Sequence, residues 1–320
     1  MMPMLQPMGK HVGILGAEWS FPTDHIPIGV EITCENNNKL VISSANVLNR
    51  IFFFPFLYDD DSQGLVGSQI SDRDTKDGLL QKDNRNPILT DRDQDIVSLL
   101  IASLAGKDKP KDIFALQECS LQFLDHLKEN LPGKFSIVVS DLQEDTSFIR
   151  DGEKIELRLS QNRNAIIYRN DLLALDKGQS DFLPKVCEEG GTFLDAHFKT
   201  EDGTSFQVVN CHLPGRPGNP APDELLQYMK TRKADYIIAV GDMNFNEIEM
   251  KTACEKAEHP YQLYAPYPTN ISPKSFPVNP LGSKSIDHII IHGKAEIQPI
   301  DPEDVLVGAQ EALNLLRTKT

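Results

Sequence analysis

Eight short apolar runs punctuate the chain, each closed by a polar cluster: Ile26–Ile32, Leu40–Ser43, Asp112–Leu116, Phe135–Val139, Ala165–Tyr168, Phe206–Val209, Tyr236–Val240 and Ile286–Ile291. Most are too short for helices and are rich in Val, Ile and Phe, so the pattern predicts strands. Between some of them the apolar spacing switches to the helical period. Ile96, Val97, Leu100, Ile101 and Leu104 form one stripe behind Thr90 and Asp93, an N-cap pattern. Leu121, Leu124, Leu127 and Leu131 form another behind Ser120. Helices are also predicted over Asp223–Arg232, Glu247–Glu258 and Pro302–Leu316. Strands and helices intermix with hairpin-like turns such as Glu201-Asp202-Gly203, which predicts an α/β sandwich rather than a purely doubly wound sheet. No internal repeat is visible.

Three stretches read as loops. The first, 57–86, is polar and Asp-rich, long enough for a mobile lid or an insertion, with the insertion favoured. Pro214–Pro222 directly follows His212, and Ala265–Ser285 is proline-rich, with Tyr264, Tyr267 and Phe276 in or beside it. Loops after sheet strands carry binding residues, so these two are candidate substrate walls.

Composition narrows the classes. An apolar fraction of 40% is enough for a full-sized core, yet no run approaches the ~18 apolar residues of a membrane span. Met1–Lys10 lacks the charged-then-apolar order of a secretory signal. The five cysteines are odd in number, widely spaced and without a C-x-x-C pair, so free thiols and a cytoplasmic location are expected. The net charge of −15 lacks the basic excess that tracks a long phosphate backbone, which disfavours long duplex DNA as substrate. A short single strand, a nucleotide or a phosphorylated headgroup remains compatible, because a local cation offsets the global field.

Acids, amides and histidines gather at the ends of the predicted strands. Asp112–Leu116 runs into Gln117-Glu118, Phe206–Val209 into Asn210-Cys211-His212, and Tyr236–Val240 into Gly241-Asp242-Met243-Asn244. Leu40–Ser43 continues to Asn46, and the last run contains Asp287-His288. Taken singly, each has a plain alternative: Glu118 as a surface acid opening a helix, Asp242 and Asn244 as a tight turn with Gly241, His212 as a satisfied polar residue. Taken together they describe a hard, oxygen-rich site suited to magnesium or manganese rather than structural zinc.

The ordered set Ala115-Leu116-Gln117-Glu118, Val209-Asn210-Cys211-His212-Leu213, Gly241-Asp242-Met243-Asn244 and Ser285-Ile286-Asp287-His288-Ile289 resembles the successive motifs of the endonuclease/exonuclease/phosphatase superfamily. Ser44-Ala45-Asn46-Val47-Leu48 resembles its first strand. The resemblance spans roughly Leu40 to His292 and implies a four-layer α-β-β-α sandwich of two mixed sheets, with one catalytic domain over 12–300 and a helix over 301–320. The family's final Ser-Asp-His motif has no counterpart after Asp287, whereas Thr23-Asp24-His25-Ile26-Pro27-Ile28 stands just before the first strand. A circular permutation is therefore expected, with the usual last strand coming first.

The resemblance further implies Glu118 as primary metal ligand, assisted by Asn46 and Asp24, with Mg²⁺ or Mn²⁺ as cofactor. Asp242 would orient or deprotonate the attacking water or bind a second metal. Asn244 and His212 would donate to the phosphoryl oxygens, His25 would contact the phosphate, and Asp287 would hold the His25 tautomer. Asn164, at a strand head, is a candidate pocket residue, and Tyr264, Tyr267 and Phe276 are candidates for stacking bases. Asn46-Val47-Leu48 and the stretch from Leu89 to Phe123 lean towards the deadenylase-like branch, which implies single-stranded RNA or a nucleotide as substrate. Asn244-Phe245-Asn246 departs from that branch's Asn-Ser followed by Pro. The alternatives are a phosphoinositide or phospholipid phosphoesterase, with the 5-phosphatase branch disfavoured because the chain lacks its Trp-Cys-Asp-Arg word, and an inactive binding module of the same fold.

Overall fold

The computed structural model describes residues 11–12, 18–19, 25–47, 91–105, 111–140, 146–150, 153–157, 163–176, 191–214, 220–257, 259–265, 267, 269 and 285–306. In chain order the first strands are β1 (His11–Val12), β2 (Glu18–Trp19), β3 (Ile28–Cys34), β4 (Lys39–Asn46), β5 (Ile113–Cys119) and β6 (Phe135–Val139). They are followed by β7 (Thr146–Arg150), β8 (Glu153–Leu157), β9 (Arg163–Arg169), β10 (Ala174–Asp176) and β11 (Thr192–Lys199). The last are β12 (Ser205–His212), β13 (Tyr236–Asp242), β14 (Tyr261–Tyr264), β15 (Asp287–His292) and β16 (Ala295–Pro299). The helices are α1 (Asp91–Ala105), α2 (Leu121–Asn130), α3 (Ala221–Lys230), α4 (Glu247–Lys256) and α5 (Pro302–Val305).

Two six-stranded mixed sheets, β16-β3-β4-β5-β9-β6 and β10-β11-β12-β13-β15-β14, pack face to face. The alternation along each strand explains why. Ile28, Val30 and Ile32 of β3, Ile42 of β4, Val208 of β12, Val240 of β13 and Ile289 and Ile291 of β15 point into one shared inter-sheet core. Their odd-numbered or even-numbered neighbours point the other way. Val41, Phe114, Leu116 and Ile167 meet Leu100, Leu104, Phe123 and Leu127 of α1 and α2. Val209, Ile237, Ala239 and Ile290 meet Leu225, Met229 and Met250 of α3 and α4. Both faces of both sheets are thus covered, which gives the four layers. Each fully buried Leu, Ile, Phe or Met contributes about 1.5–3 kcal/mol.

Local signals set the boundaries. Ser120 caps α2 by accepting from the Phe123 N–H, as its sequence position predicts. Thr90, the expected cap of α1, lies outside the described residues, as does the 57–86 insertion. β3 begins two residues later than the apolar run, because the Ile26 N–H is taken by the Thr269 carbonyl and Pro27 has none to give. Pro222, read as loop, sits in the first turn of α3, where a missing N–H costs nothing. The helix expected over Pro302–Leu316 instead ends at Val305, where Leu306 turns extended (φ −148°) and buries its side chain; 307–320 lie outside the described residues. Four cysteines, Cys34, Cys119, Cys211 and Cys254, are buried free thiols, and Cys187 lies outside the described residues. No helix among the described residues is long and apolar enough to cross a membrane.

Candidate active site

The same alternation that builds the inter-sheet core delivers polar groups at one end of it. Asn46 lies two positions beyond Ser44 and four beyond Ile42 on the inner face of β4. His212 likewise follows Val208 and Asn210, and Asp242 follows Val240. Parallel pairing sets His212 opposite Asp242, and antiparallel pairing sets Asp242 opposite Asp287, so three candidate residues share one rung of the second sheet.

Glu118 reaches the site by a different route. Strict alternation would send it with Phe114 and Leu116 towards α1 and α2. Instead the β5–β9 ladder is irregular between Leu116 and Cys119, and Glu118 adopts φ +59°, the left-handed region that non-glycine residues rarely occupy. Cys119 then takes the outward position beside α1 and α2. The bulge aims the carboxylate at Asn46 and His212, and Glu118 is buried at 6% exposure, which excludes the surface-acid reading.

The side chains converge. The Asn46 amide donates to Glu118 Oε1 at 2.9 Å and to Asp242 Oδ2 at 3.0 Å. His212 Nε2 lies 3.5 Å from Glu118 Oε1 and 3.7 Å from Asp242 Oδ2. His25 Nδ1 is 2.9 Å from Asp287 Oδ2, across 262 positions of sequence, while its Nε2 lies 3.7 Å from Asp242 Oδ2. Asn244, at φ +53°, donates its N–H to Asp242 Oδ1 at 2.9 Å and its side-chain amide to the Leu213 carbonyl at 2.9 Å. The turn reading of Asp242-Met243-Asn244 is therefore correct as geometry, and the turn is what fixes the acid.

Four residues that sequence reasoning left without a role hold this assembly. Thr269, fully buried, accepts the N–H groups of Ile286 and Asp287 at its hydroxyl and the Ile26 N–H at its carbonyl, joining the His25 and Asp287 segments. His288 points the opposite way from Asp287 and pairs with the Phe245 carbonyl at 2.7 Å, pinning the Asn244 loop. Burial pushes its imidazole below the usual histidine range, so it is neutral. The Asn246 capping box with Glu249 closes the same loop.

The other expected residues have contacts of their own. Asn164 lies in the amide layer next to Asn210. It is fully buried, accepting from Thr192 and donating to the Asn210 carbonyl, because its strand position points it between the sheets. Tyr264 ends β14, just before the proline-rich stretch, half-buried against the inter-sheet core, where burial raises its hydroxyl to about 12. The Tyr267 ring packs against the same core and its hydroxyl donates to the Pro27 carbonyl at 2.6 Å. Asp24 and Phe276 lie outside the described residues.

Electrostatics favour a cation here. Burial, and secondarily the neighbouring Asp287 and Glu118 carboxylates working against His25 and His212, push the Asp242 carboxyl up to about 6. Asp287 is raised by burial, but the His25 charge and hydrogen bond and the Thr269 hydroxyl more than offset this and hold it below the carboxylate norm. Two ligand groups share Asp242: His25, Asp242 and Asp287, and Glu118, His212 and Asp242. Crowded carboxylate oxygens with one or two imidazoles fit a hard divalent ion. In the metal-free protein the folded state holds the Asp242 proton more tightly than the unfolded chain, so this group's stability contribution is lost as pH rises from about 4 to 6. Asp242→Asn is therefore expected to raise Tm in chelator at pH 7–8, by roughly 2–4 °C per kcal/mol relieved, and to leave it unchanged near pH 3.5. Thermal scans across that range check it; equal or lower Tm at pH 8 contradicts it.

No protein-family model matches the sequence, and no curated protein matches it. Solved structures do. TDP2 from D. rerio, in humanized form, shares 15% identity over 64% of this chain and 76% of that chain, with a TM-score of 0.43. An endonuclease/exonuclease/phosphatase family protein from Bacteroides thetaiotaomicron shares 19% over 62% and 73%, at 0.42. ANGEL2, described as a 2′,3′-cyclic phosphatase, shares 11% over 87% and 91%, at 0.44. At these values the likeness assigns no activity to this chain.

Proposed function

We propose that the chain is a divalent-metal-dependent phosphoester hydrolase. The observation that carries this reading is the meeting of Glu118, Asp242 and Asp287 with His25, His212 and Asn46 at one end of the sandwich, within hydrogen-bond or ion-pair distance. Hydrolysis of a phosphoester needs an oriented water, donors for the oxygens on which charge builds, and help for the leaving group.

Glu118 and Asp242, with Asp287 or Asn46 beside them, would hold Mg²⁺ or Mn²⁺. The ion supplies charge neutralisation and a lowered pKa for bound water. Asp242, opposite His212 and Asp287 on one rung of the second sheet, orients the attacking water and takes its proton. His212 Nε2, facing the acids, donates to a phosphoryl oxygen. Asp287 accepts the His25 Nδ1–H, which stabilises the imidazolium and presents Nε2–H to the phosphate. Asp24 remains a candidate ligand on sequence grounds.

The substrate class that fits is a short single-stranded RNA end or a nucleotide, since the net charge of −15 opposes the long-range attraction a duplex requires. The position of His25 before β3, between β16 and β4 in the sheet, supports the circular permutation. A cytoplasmic location accords with the buried free thiols. Oligo(A), nucleotide cofactors, phosphoinositides and sphingomyelin, each tested with magnesium and manganese, decide the substrate. Shortening of oligo(A) or turnover of a nucleotide supports the reading. Turnover of a lipid alone moves the substrate to the membrane surface, and no turnover of any of them refutes catalysis.

A further inference from the structure

Beneath the acids lies a layer of amides whose every member is buried. Gln117 on β5 faces inward and donates to Asn210 Oδ1 on β12 of the other sheet at 2.8 Å, and it also contacts Ser44 Oγ at 3.0 Å. Asn210 returns its own amide hydrogens to the carbonyls of Leu116 and Ala165, both at 2.9 Å. Those two residues are the last regular pair of the β5–β9 ladder before the bulge at Glu118. Asn210 thus satisfies backbone oxygens beside the place where the ladder breaks. Gln117, Asn210 and Asn164 are all 0% exposed. The second sheet closes tightly against this layer. A Cβ on Gly241, at φ +136°, would stand 2.1 Å from the Cys211 carbonyl oxygen and 3.0 Å from Gln117 Nε2.

We propose that Gln117 and Asn210 are positioning residues, an inter-sheet amide clamp that holds the Glu118 bulge in register with His212 and Asp242; this rests on the metal-dependent reading above. Adhesion between the sheets does not require it, because apolar side chains at these positions would bury as well without the cost of about 1–3 kcal/mol for each amide group left unpaired. What amides add is a fixed distance and orientation. The geometry places that constraint one residue from Glu118 and two from His212, which belong to different sheets. Outer-shell contacts of this kind typically change metal affinity or turnover by ~10–100-fold.

The test uses Gln117→Met, which keeps the shape and removes the donors, and Gln117→Asn, which shortens the bridge. Gln117→Asn combined with Asn210→Gln restores its length. Ile32→Ala, a cavity in the inter-sheet core far along β3, controls for lost stability. Manganese affinity by calorimetry and the separate kcat and KM are read for each. The clamp predicts manganese binding weakened ~10-fold or more and kcat lowered with KM nearly unchanged in both single variants, recovery in the exchange pair, and neither effect in Ile32→Ala at matched Tm loss. Folded single variants with parental affinity and kcat overturn it. If a single variant fails to fold, the exchange pair decides: folded with parental affinity supports the clamp, folded with weak affinity overturns it. Failure of the parent protein to bind manganese overturns the metal reading and the clamp together.

Discussion

Glu118→Gln is expected to eliminate metal-dependent turnover, by at least ~10³-fold, while leaving the protein folded. Glutamine keeps the oxygen that accepts the Asn46 amide at 2.9 Å, so the bulge retains its partner. What disappears is the charge that draws a divalent ion between Glu118, His212 and Asp242. Among the described residues two carboxylates, Asp242 and Asp287, then remain, and Asp287 is hydrogen-bonded to His25. Calorimetric titration with magnesium or manganese should lose its tight site, and Tm in chelator should stay equal or rise slightly, because a buried charge has gone. Turnover within tenfold of the parent would mean that Glu118 is structural.

His25→Ala is expected to lower kcat by ~10²-fold or more with a smaller change in metal affinity. Its ring bridges Asp287 and Asp242, and removal leaves Asp287 buried without its cation. Asp287→Asn should reproduce most of the loss: the amide offers its donor to Nδ1, favours the opposite tautomer and removes the stabilised imidazolium, an effect of ~10²–10⁴-fold in comparable pairs. Stopped-assay kinetics on the cognate phosphoester distinguish the two roles, since a metal ligand shifts the magnesium requirement and a phosphate donor shifts kcat. Near-parental kcat in purified, folded His25→Ala removes His25 from the mechanism.

Strand ends were legible because an inward-facing polar residue after a run of Val and Ile is conspicuous: Asn46, His212, Asp242 and Asp287 stand out against Ile42, Val208, Val240 and Ile289. Pairing between distant segments was legible only through the Asp-His word before β3. The bulge at Glu118 was not, because nothing in Leu-Gln-Glu-Cys marks a positive φ at a glutamate; tertiary hydrogen bonds to Asn46 and Asn210 set it. Tyr264 and Tyr267 read as aromatics beside and in a proline-rich loop, and their neighbours in space, β15 and Ile26–Pro27, are distant in sequence. Thr269 escaped notice for the same reason: a lone threonine in a proline-rich stretch shows no pattern, and its three backbone partners lie 17 or more positions away. Asn164 was recognised as a strand-head amide, but which layer it faced depended on register.

The most direct test compares the parent protein with Glu118→Gln on one activated phosphodiester, each in magnesium and in EDTA. Hydrolysis by the parent in magnesium alone, abolished by EDTA and by the substitution, is the predicted result. Equal hydrolysis in EDTA, or by Glu118→Gln at the parental rate, would contradict a metal-dependent hydrolase built on this site.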